Sequence, residues 1–397
     1  MFAPRSVVRV LFVSPMSRLA WSIGAAYAAI GIVLAALPLH LRHALGASNT
    51  TVGIVMGAHA LVAFVMRPVC SALAERRGYR TMLVVGAALV VLGNAAYLMS
   101  SSVPLLGIAR LVTGLGDATL LTAGGAWVLA IAPAERRGRT LALFGLALWA
   151  GLTTGPLIGD ALARHGGLRA AGIGGALLAI ISAAITLSLS STGATPTGDR
   201  NIPLFPRAVL RPGTAFVFAA LGYAALASFG ALHFSTRGWG GGARPLVAFG
   251  VAFLLARGLG SHLPDRFGSI PVAIGAALVE ACGLLVFGVA GSPVVALTGA
   301  LVVGAGFALS YPAFALIAVN AVPASHRGAA LGAFTSFWDI ALAIGAPLAG
   351  ALTTWGGGSA PFIAGAAFAL LAAILAGVFA TVEQPAGVTL PILEGGD

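Results

Sequence analysis

Apolar runs of bilayer length follow one another through this chain with only short gaps between them, and that pattern leaves few folds open. A membrane-crossing helix needs about 20 apolar residues. Stretches near 18–41, 51–73, 81–101, 104–131, 140–162, 168–190, 213–235, 245–264, 270–290, 293–318, 327–351 and 358–381 meet that length. Of the 397 residues, 59% are hydrophobic and 8% charged, whereas a soluble chain carries roughly 25% charged residues. So small a charged fraction cannot cover a water-facing surface. The 55 glycines suit helices that pack closely in a membrane. An all-α membrane protein of twelve transmembrane helices is expected.

The basic side chains set an orientation. All 22 are Arg, and the net charge is +11. A nucleic-acid partner would need them clustered in one patch. They fall mostly in the gaps between runs, so no nucleic acid is expected and they read as topology signals. With the N-terminus inside, the inner segments hold fourteen and the outer segments five. Cytoplasmic segments carry the basic excess, which puts both termini in the cytoplasm. The basic start leads into an apolar run too long for a cleaved signal, whose core is about 7–15 residues, so it reads as an uncleaved first span. Cys70 and Cys282 both lie inside runs and provide neither a disulfide framework nor a zinc ligand set.

The gap 191–212 is longer than the rest and holds four prolines. Pro at this density disfavours a continuous helix. The segment is expected to be a cytoplasmic linker joining a six-helix bundle, 1–190, to a second, 213–397, that ends in a short cytoplasmic tail. The two bundles repeat. Arg67 to Gly78 aligns with Arg257 to Gly268 at an offset of 190 residues, which also carries Gly114 and Gly116 onto Gly304 and Gly306, Pro133 onto Pro323, and Phe144 onto Phe334. Duplicated halves are a hallmark of secondary transporters, whose substrate path lies between them.

These residues resemble the major facilitator superfamily, whose loop signature between helices 2 and 3 runs Gly-x-Leu-x-Asp-Arg-x-Gly-Arg-Arg. Here Ser71-Ala-Leu73-Ala-Glu75-Arg76-Arg77-Gly78-Tyr79-Arg80 fits, with Ser for the first Gly, Glu for Asp and Tyr for one Arg. Gly78 permits a tight turn. Glu75 and the arginines, with Asp265, Arg266 and Gly268 in the second half, stand at helix ends where they can latch the inner face. Arg110-Leu-Val-Thr-Gly114-Leu-Gly116 is similar to the family's Arg-x-x-Gln-Gly-x-Gly. In helix 5, Ala147, Gly151, Gly155, Pro156 and Gly159 follow a motif typical of the drug:proton antiporter branch. Small residues at every fourth position form one smooth helix face. Phe337-Trp-Asp339 followed by Pro347-Leu-Ala-Gly350 is similar to bacterial arabinose-efflux-permease-like proteins. The resemblance spans nearly the whole chain. It implies the two-bundle major facilitator fold in a bacterial inner membrane, a path lined by helices 1, 4, 7 and 10, and helices 3, 6, 9 and 12 as an outer scaffold.

Ionisable residues inside a membrane are rare and are functional candidates. Asp117 and Asp339 lie near predicted midplanes. Asp117 shares a helix face with Arg110, seven residues earlier, so both can line one cavity; pairing with neighbours for packing is the alternative. Asp339 suits proton or substrate work, or a structural hydrogen bond. Glu280 falls on scaffold helix 9. Arg67 and Arg257 hold equivalent places near inner helix ends, where long arginines snorkel in a structural or gating role. His59 and His233 can carry protons near neutral pH or serve as satisfied polar contacts. Tyr27, Trp149, Tyr311, Phe314 and Trp338 form either an aromatic cavity wall or ordinary packing.

A chain without Lys lacks the usual phosphate loop, so the energy is expected to come from an ion gradient. With neither a nucleophile triad nor a metal cluster in the sequence, no enzyme and no cofactor are expected. The leading expectation is a monomeric, proton-coupled exporter of small molecules such as drugs, sugars or metabolites, working in the lipid bilayer. A proton-coupled importer, a lipid flippase and a non-transporting membrane sensor are the alternatives.

Overall fold

A computed structural model describes residues 14–99, 101–132, 137–190, 207–323 and 326–382. The basic N-terminal segment 1–13, most of the expected linker (191–206) and the expected tail (383–397) lie outside the described residues. Ten helical stretches in the described residues are long and apolar enough to cross a membrane. One of them, Arg137–Leu187, runs for 51 residues and leaves helical geometry at Gly166 and Gly167. Gly167 has φ 62°, which favours glycine, so this stretch is two spans. Arg244–Gly260 is a further span, one residue short of that length limit at 17 residues.

The twelve helices are α1 (Pro15–Ala44), α2 (Asn49–Arg77), α3 (Tyr79–Ala96), α4 (Val103–Ile131), α5 (137–165), α6 (168–187), α7 (Arg207–Thr236), α8 (Arg244–Gly260), α9 (Ser269–Val289), α10 (Pro293–Asn320), α11 (Arg327–Gly356) and α12 (Ala360–Val382). Two expected boundaries move. Helix α7 opens at Arg207, so the last six residues of the expected linker are helical. Three of its four prolines precede Arg207; the fourth, Pro212, removes one backbone bond while buried Val209 and Pro212 anchor the turn. Helix α8 stops at Gly260 rather than running to 264, because Pro264 opens a separate helix, Leu263–Phe267.

Glycines set how closely the helices approach, and they do so in duplicate. A Cβ on Gly114 would come within 2.9 Å of the His59 carbonyl carbon, and one on Gly304 within 2.9 Å of the equivalent carbon of Phe249. Gly116 meets the Gly86 oxygen at 2.9 Å as Gly306 meets that of Ala276 at 2.7 Å. Both pairs are related by the 190-residue offset, so the repeat in sequence is a repeat in packing. Within the first bundle α1 lies along α5. There the helix 5 motif is the seam: a Cβ on Gly155 would fall 3.0 Å from the Gly31 Cα, and one on Gly159 would run into the Ile32 backbone oxygen.

The bundles meet along three helix pairs, α2 with α11, α5 with α8, and α1 with α7. In the first pair, Gly53 and Gly57 bring α2 to 2.9 Å from Pro347 by the same measure. In the second, Gly250 faces Thr153. At the α1–α7 end, His43 Nε2 lies 3.2 Å from Ser235 Oγ. The fold is two pseudo-symmetric six-helix bundles with a central seam, which the buried Arg67–Asp339 pair crosses from α2 to α11.

Candidate functional site

In the first bundle the close approach at Gly114 sets His59 on α2 beside the polar stripe of α4. Thr113 Oγ1 reaches the Ala109 and Arg110 carbonyls at 3.0 Å each and lies 3.3 Å from His59 Nδ1. The other ring nitrogen, Nε2, faces Asp117 Oδ2 at 3.4 Å. That contact is favourable when one proton lies between ring and carboxyl, since a bare nitrogen and a bare carboxylate are both acceptors. Asp117 Oδ1 accepts from the Tyr27 hydroxyl on α1 at 2.6 Å. Three helices thus converge on one buried acid.

Across the seam, Arg67 on α2 reaches Asp339 on α11 through two hydrogen bonds of 2.7 Å, Nε to Oδ2 and Nη2 to Oδ1. The fork matches the carboxylate edge, the geometry that makes Arg–carboxylate pairs strong. Arg67 is 8% exposed and Asp339 1%. The expected snorkelling of Arg67 does not occur: the Asp339 carboxylate holds the guanidinium inside the protein. Asp117 and Asp339 thus lie one in each bundle, and Arg67 pairs with Asp339 across the seam.

The second bundle faces the seam with aromatic rings. Phe216, Tyr223, Phe249, Phe253, Phe307 and Trp338 pack together, and Trp149 of α5 enters this group from the first bundle. Tyr311 and Phe314 join through Phe216. Tyr27, expected in the same wall, is absent from it because its hydroxyl is engaged by Asp117. Sequence reading missed Phe216, Tyr223, Phe249, Phe253 and Phe307. The offset held the signal for two of them, since it carries His59 onto Phe249 and Asp117 onto Phe307.

Other expected site residues lie elsewhere. Arg110 does not join Asp117; its Nη2 donates to the Met56 carbonyl at 3.3 Å, while Nε and Nη1 are buried with no hydrogen-bond acceptor among the described residues. Glu280 is fully buried beside Gly222, away from the polar group, and neither carboxyl oxygen has a hydrogen-bond partner among the described residues. His233 Nδ1 bonds the Gly358 carbonyl at 3.0 Å among Trp239, Phe287 and Phe362, at the end of α7. Arg257 donates to the Ala308 carbonyl at 2.9 Å and ties α8 to α10.

Of the loop motifs, Gly78 and Gly268 take matching φ values of 86° and 88°. Ser71 is half-buried, and Arg80 bonds the Leu187 carbonyl. Glu75, Arg76, Asp265 and Arg266 are exposed, and neither acid makes an ion pair among the described residues.

Comparison with known proteins matches this geometry. The family model described as Major Facilitator Superfamily matches residues 19–346 and 245–395. An uncharacterized MFS-type transporter of Salmonella typhimurium is 32% identical over 357 residues, covering 87% of this chain and 92% of the relative. The uncharacterized MFS-type transporter YhhS of Escherichia coli is 31% identical, covering 88% and 89%. Among solved structures, the nucleoside transporter NupG superposes with a TM-score of 0.74 at 14% identity, covering 94% of this chain and 100% of that one. The human organic anion transporter MFSD10 gives 0.70 at 18% identity, covering 91% and 98%. At those identities the two structures speak for the fold alone. Twelve helices in duplicated bundles, a charged seam between them and a family match along nearly the whole length agree: the chain belongs to the major facilitator superfamily and is a multi-pass membrane transporter, not an enzyme.

Proposed function

We propose that this transporter is a proton-coupled exporter of small molecules that works by alternating access. The observation that carries the reading is the buried Arg67–Asp339 pair spanning the two bundles, with the His59–Asp117 contact in the first of them. A carboxyl that is buried in one state and opened to water in another takes up and releases protons as its surroundings change. In this mechanism a proton on Asp339 removes the charge that holds Arg67. The guanidinium then turns toward Asp117, and the α2–α11 contact loosens. Substrate entering the seam competes for the same charges, which couples its passage to the proton. Export is favoured over import by the helix 5 motif, through its likeness to the drug:proton antiporter branch.

The transporter is proposed to act as a monomer in the bacterial inner membrane, without a nucleic-acid partner and with residues 1–190 and 213–397 as its moving units. Both termini and the turn at Gly78 are assigned to the cytoplasm. The exposed acids Glu75 and Asp265 are proposed to engage only when that side closes. Two single-cysteine variants check the orientation in a background lacking Cys70 and Cys282. Ser101→Cys should react in sealed cells with an impermeant thiol reagent, and Arg77→Cys only after the membrane is opened. Labelling of the position-77 variant in sealed cells would reverse the assignment.

The coupling test uses vesicles with an imposed pH gradient and a substrate found by screening for compounds whose accumulation changes on expression. Asp117→Asn and Asp339→Asn are measured as folded, monodisperse protein. At least one should lose gradient-driven transport by tenfold or more while keeping exchange in the absence of a gradient. Full gradient-driven transport by both variants removes these aspartates from the mechanism.

A further inference from the structure

The aromatic group at the seam is asymmetric in a way that packing alone does not require. Every ring in it belongs to the second bundle except Trp149. That indole sits 4.0 Å from Phe253, 5.6 Å from Tyr223 and 5.8 Å from Trp338, centroid to centroid. Phe253, Tyr223 and Phe307 are buried, whereas Trp149 and Trp338 keep exposed edges. Trp149 stands on α5, which meets α8 where Gly250 faces Thr153. This is one of the contacts that must part when the bundles rock.

The repeat sharpens the point. The positions that hold His59 and Asp117 in the first bundle hold Phe249 and Phe307 in the second, with ring centroids 6.1 Å apart. One bundle has polar chemistry at the seam and the other has rings at the equivalent place. Among the rings packed against Trp149, Tyr223, 5% exposed, carries a hydroxyl. That hydroxyl is a polar handle among the rings.

We infer that Trp149 occupies a substrate subsite in this state, and that the box of Tyr223, Phe253, Phe307 and Trp338 takes a flat aromatic ring bearing a hydrogen-bonding group when the α5–α8 contact opens. The inference rests on the alternating-access reading. It adds the substrate class and a reason for the tryptophan: an indole supplied by the protein keeps the box filled until a ligand ring replaces it. Offset-stacked and edge-to-face rings attract beyond their buried area by about 0.5–1.5 kcal/mol per pair, so a free ring that makes the same contacts and adds a hydrogen bond can replace the indole despite its own loss of translational freedom.

The probe is 2-naphthol, a neutral fused ring with one hydroxyl, titrated calorimetrically into the purified full-length protein. Trp338→Ala, checked for folding by size exclusion, provides the background for partition into detergent. The wild type should bind the probe saturably and Trp338→Ala at least tenfold more weakly. Trp149→Ala should bind it at least tenfold more tightly than the wild type, because the competing indole is gone. Tyr223→Phe should weaken binding several-fold through loss of the hydroxyl. Binding by Trp149→Ala with none by the wild type would be mere filling of an engineered cavity and would overturn the subsite; equal affinities in the two would overturn the competition. Binding needs no gradient. A protein that binds 2-naphthol as described but ignores a pH gradient keeps the subsite and refutes proton coupling, and the converse result refutes the subsite alone.

Discussion

Asp339→Leu is expected to melt below the wild type in detergent, because it takes from the buried Arg67 guanidinium the carboxylate that holds it through two hydrogen bonds. Removing one partner of a buried ion pair costs about 3–5 kcal/mol, since the remaining charge is left without compensation. Arg67→Met, Asp339→Leu in combination removes both charges. Replacing a buried pair by apolar side chains of similar volume is often neutral or stabilising, so the double variant should recover most of the lost stability. It should not recover gradient-driven transport, because the group that responds to the proton is gone. The separation of the two readouts is the informative result. Full recovery of both would make the pair a packing device, and a single variant as stable as the wild type would show that Arg67 finds another partner in the seam.

Gly159→Ala and Gly145→Ala should move stability in opposite directions although both lie on α5. In a helix interior Ala is favoured over Gly by roughly 1 kcal/mol. A Cβ at Gly145 meets nothing within 4 Å, so that gain should appear undiminished. At Gly159 the added carbon runs into the backbone oxygen of Ile32, an atom held by helix α1 that cannot swing aside. Overpacking of this kind costs about 1–3 kcal/mol, which outweighs the helix term. Gly159→Val adds two further carbons at the same place and should yield little monodisperse protein. Thermal melts in one detergent decide it, and equal melting temperatures for the two Ala variants would mean that the α1–α5 seam is looser than it is drawn here. The comparison also bears on the helix 5 motif, whose glycines act in this state as the surface on which α1 rests.

The helix count, the helical class and the duplication were readable before any coordinates. Spans, break residues and the 190-residue offset are properties of the linear chain, set by bilayer thickness and by the φ values that only Gly adopts easily, as at Gly78, Gly167 and Gly268. The helical stretch from Arg207 was not readable, because averaging four prolines over 22 residues hid a segment, Arg207–Pro212, that carries only one of them. The buried acids could be picked out one by one from their rarity, but their partners could not. Arg110 stood out for Asp117 because seven residues on a helix share a face; the partners in the fold are His59 on α2 and Tyr27 on α1.

What the sequence determined by itself is local and periodic: where the chain must be helical to satisfy its backbone in lipid, where it must turn, and that it does so twice. What only the tertiary structure decided is which side chains face each other across helices. Arg67 and Asp339 are 272 residues apart, and the contact exists because glycines on α2 let α11 approach. Trp149 joins rings of the other bundle for the same reason. Such pairings depend on the rotation and spacing of whole helices, which are fixed by packing contributed from many positions at once, and no single stretch of sequence carries that information.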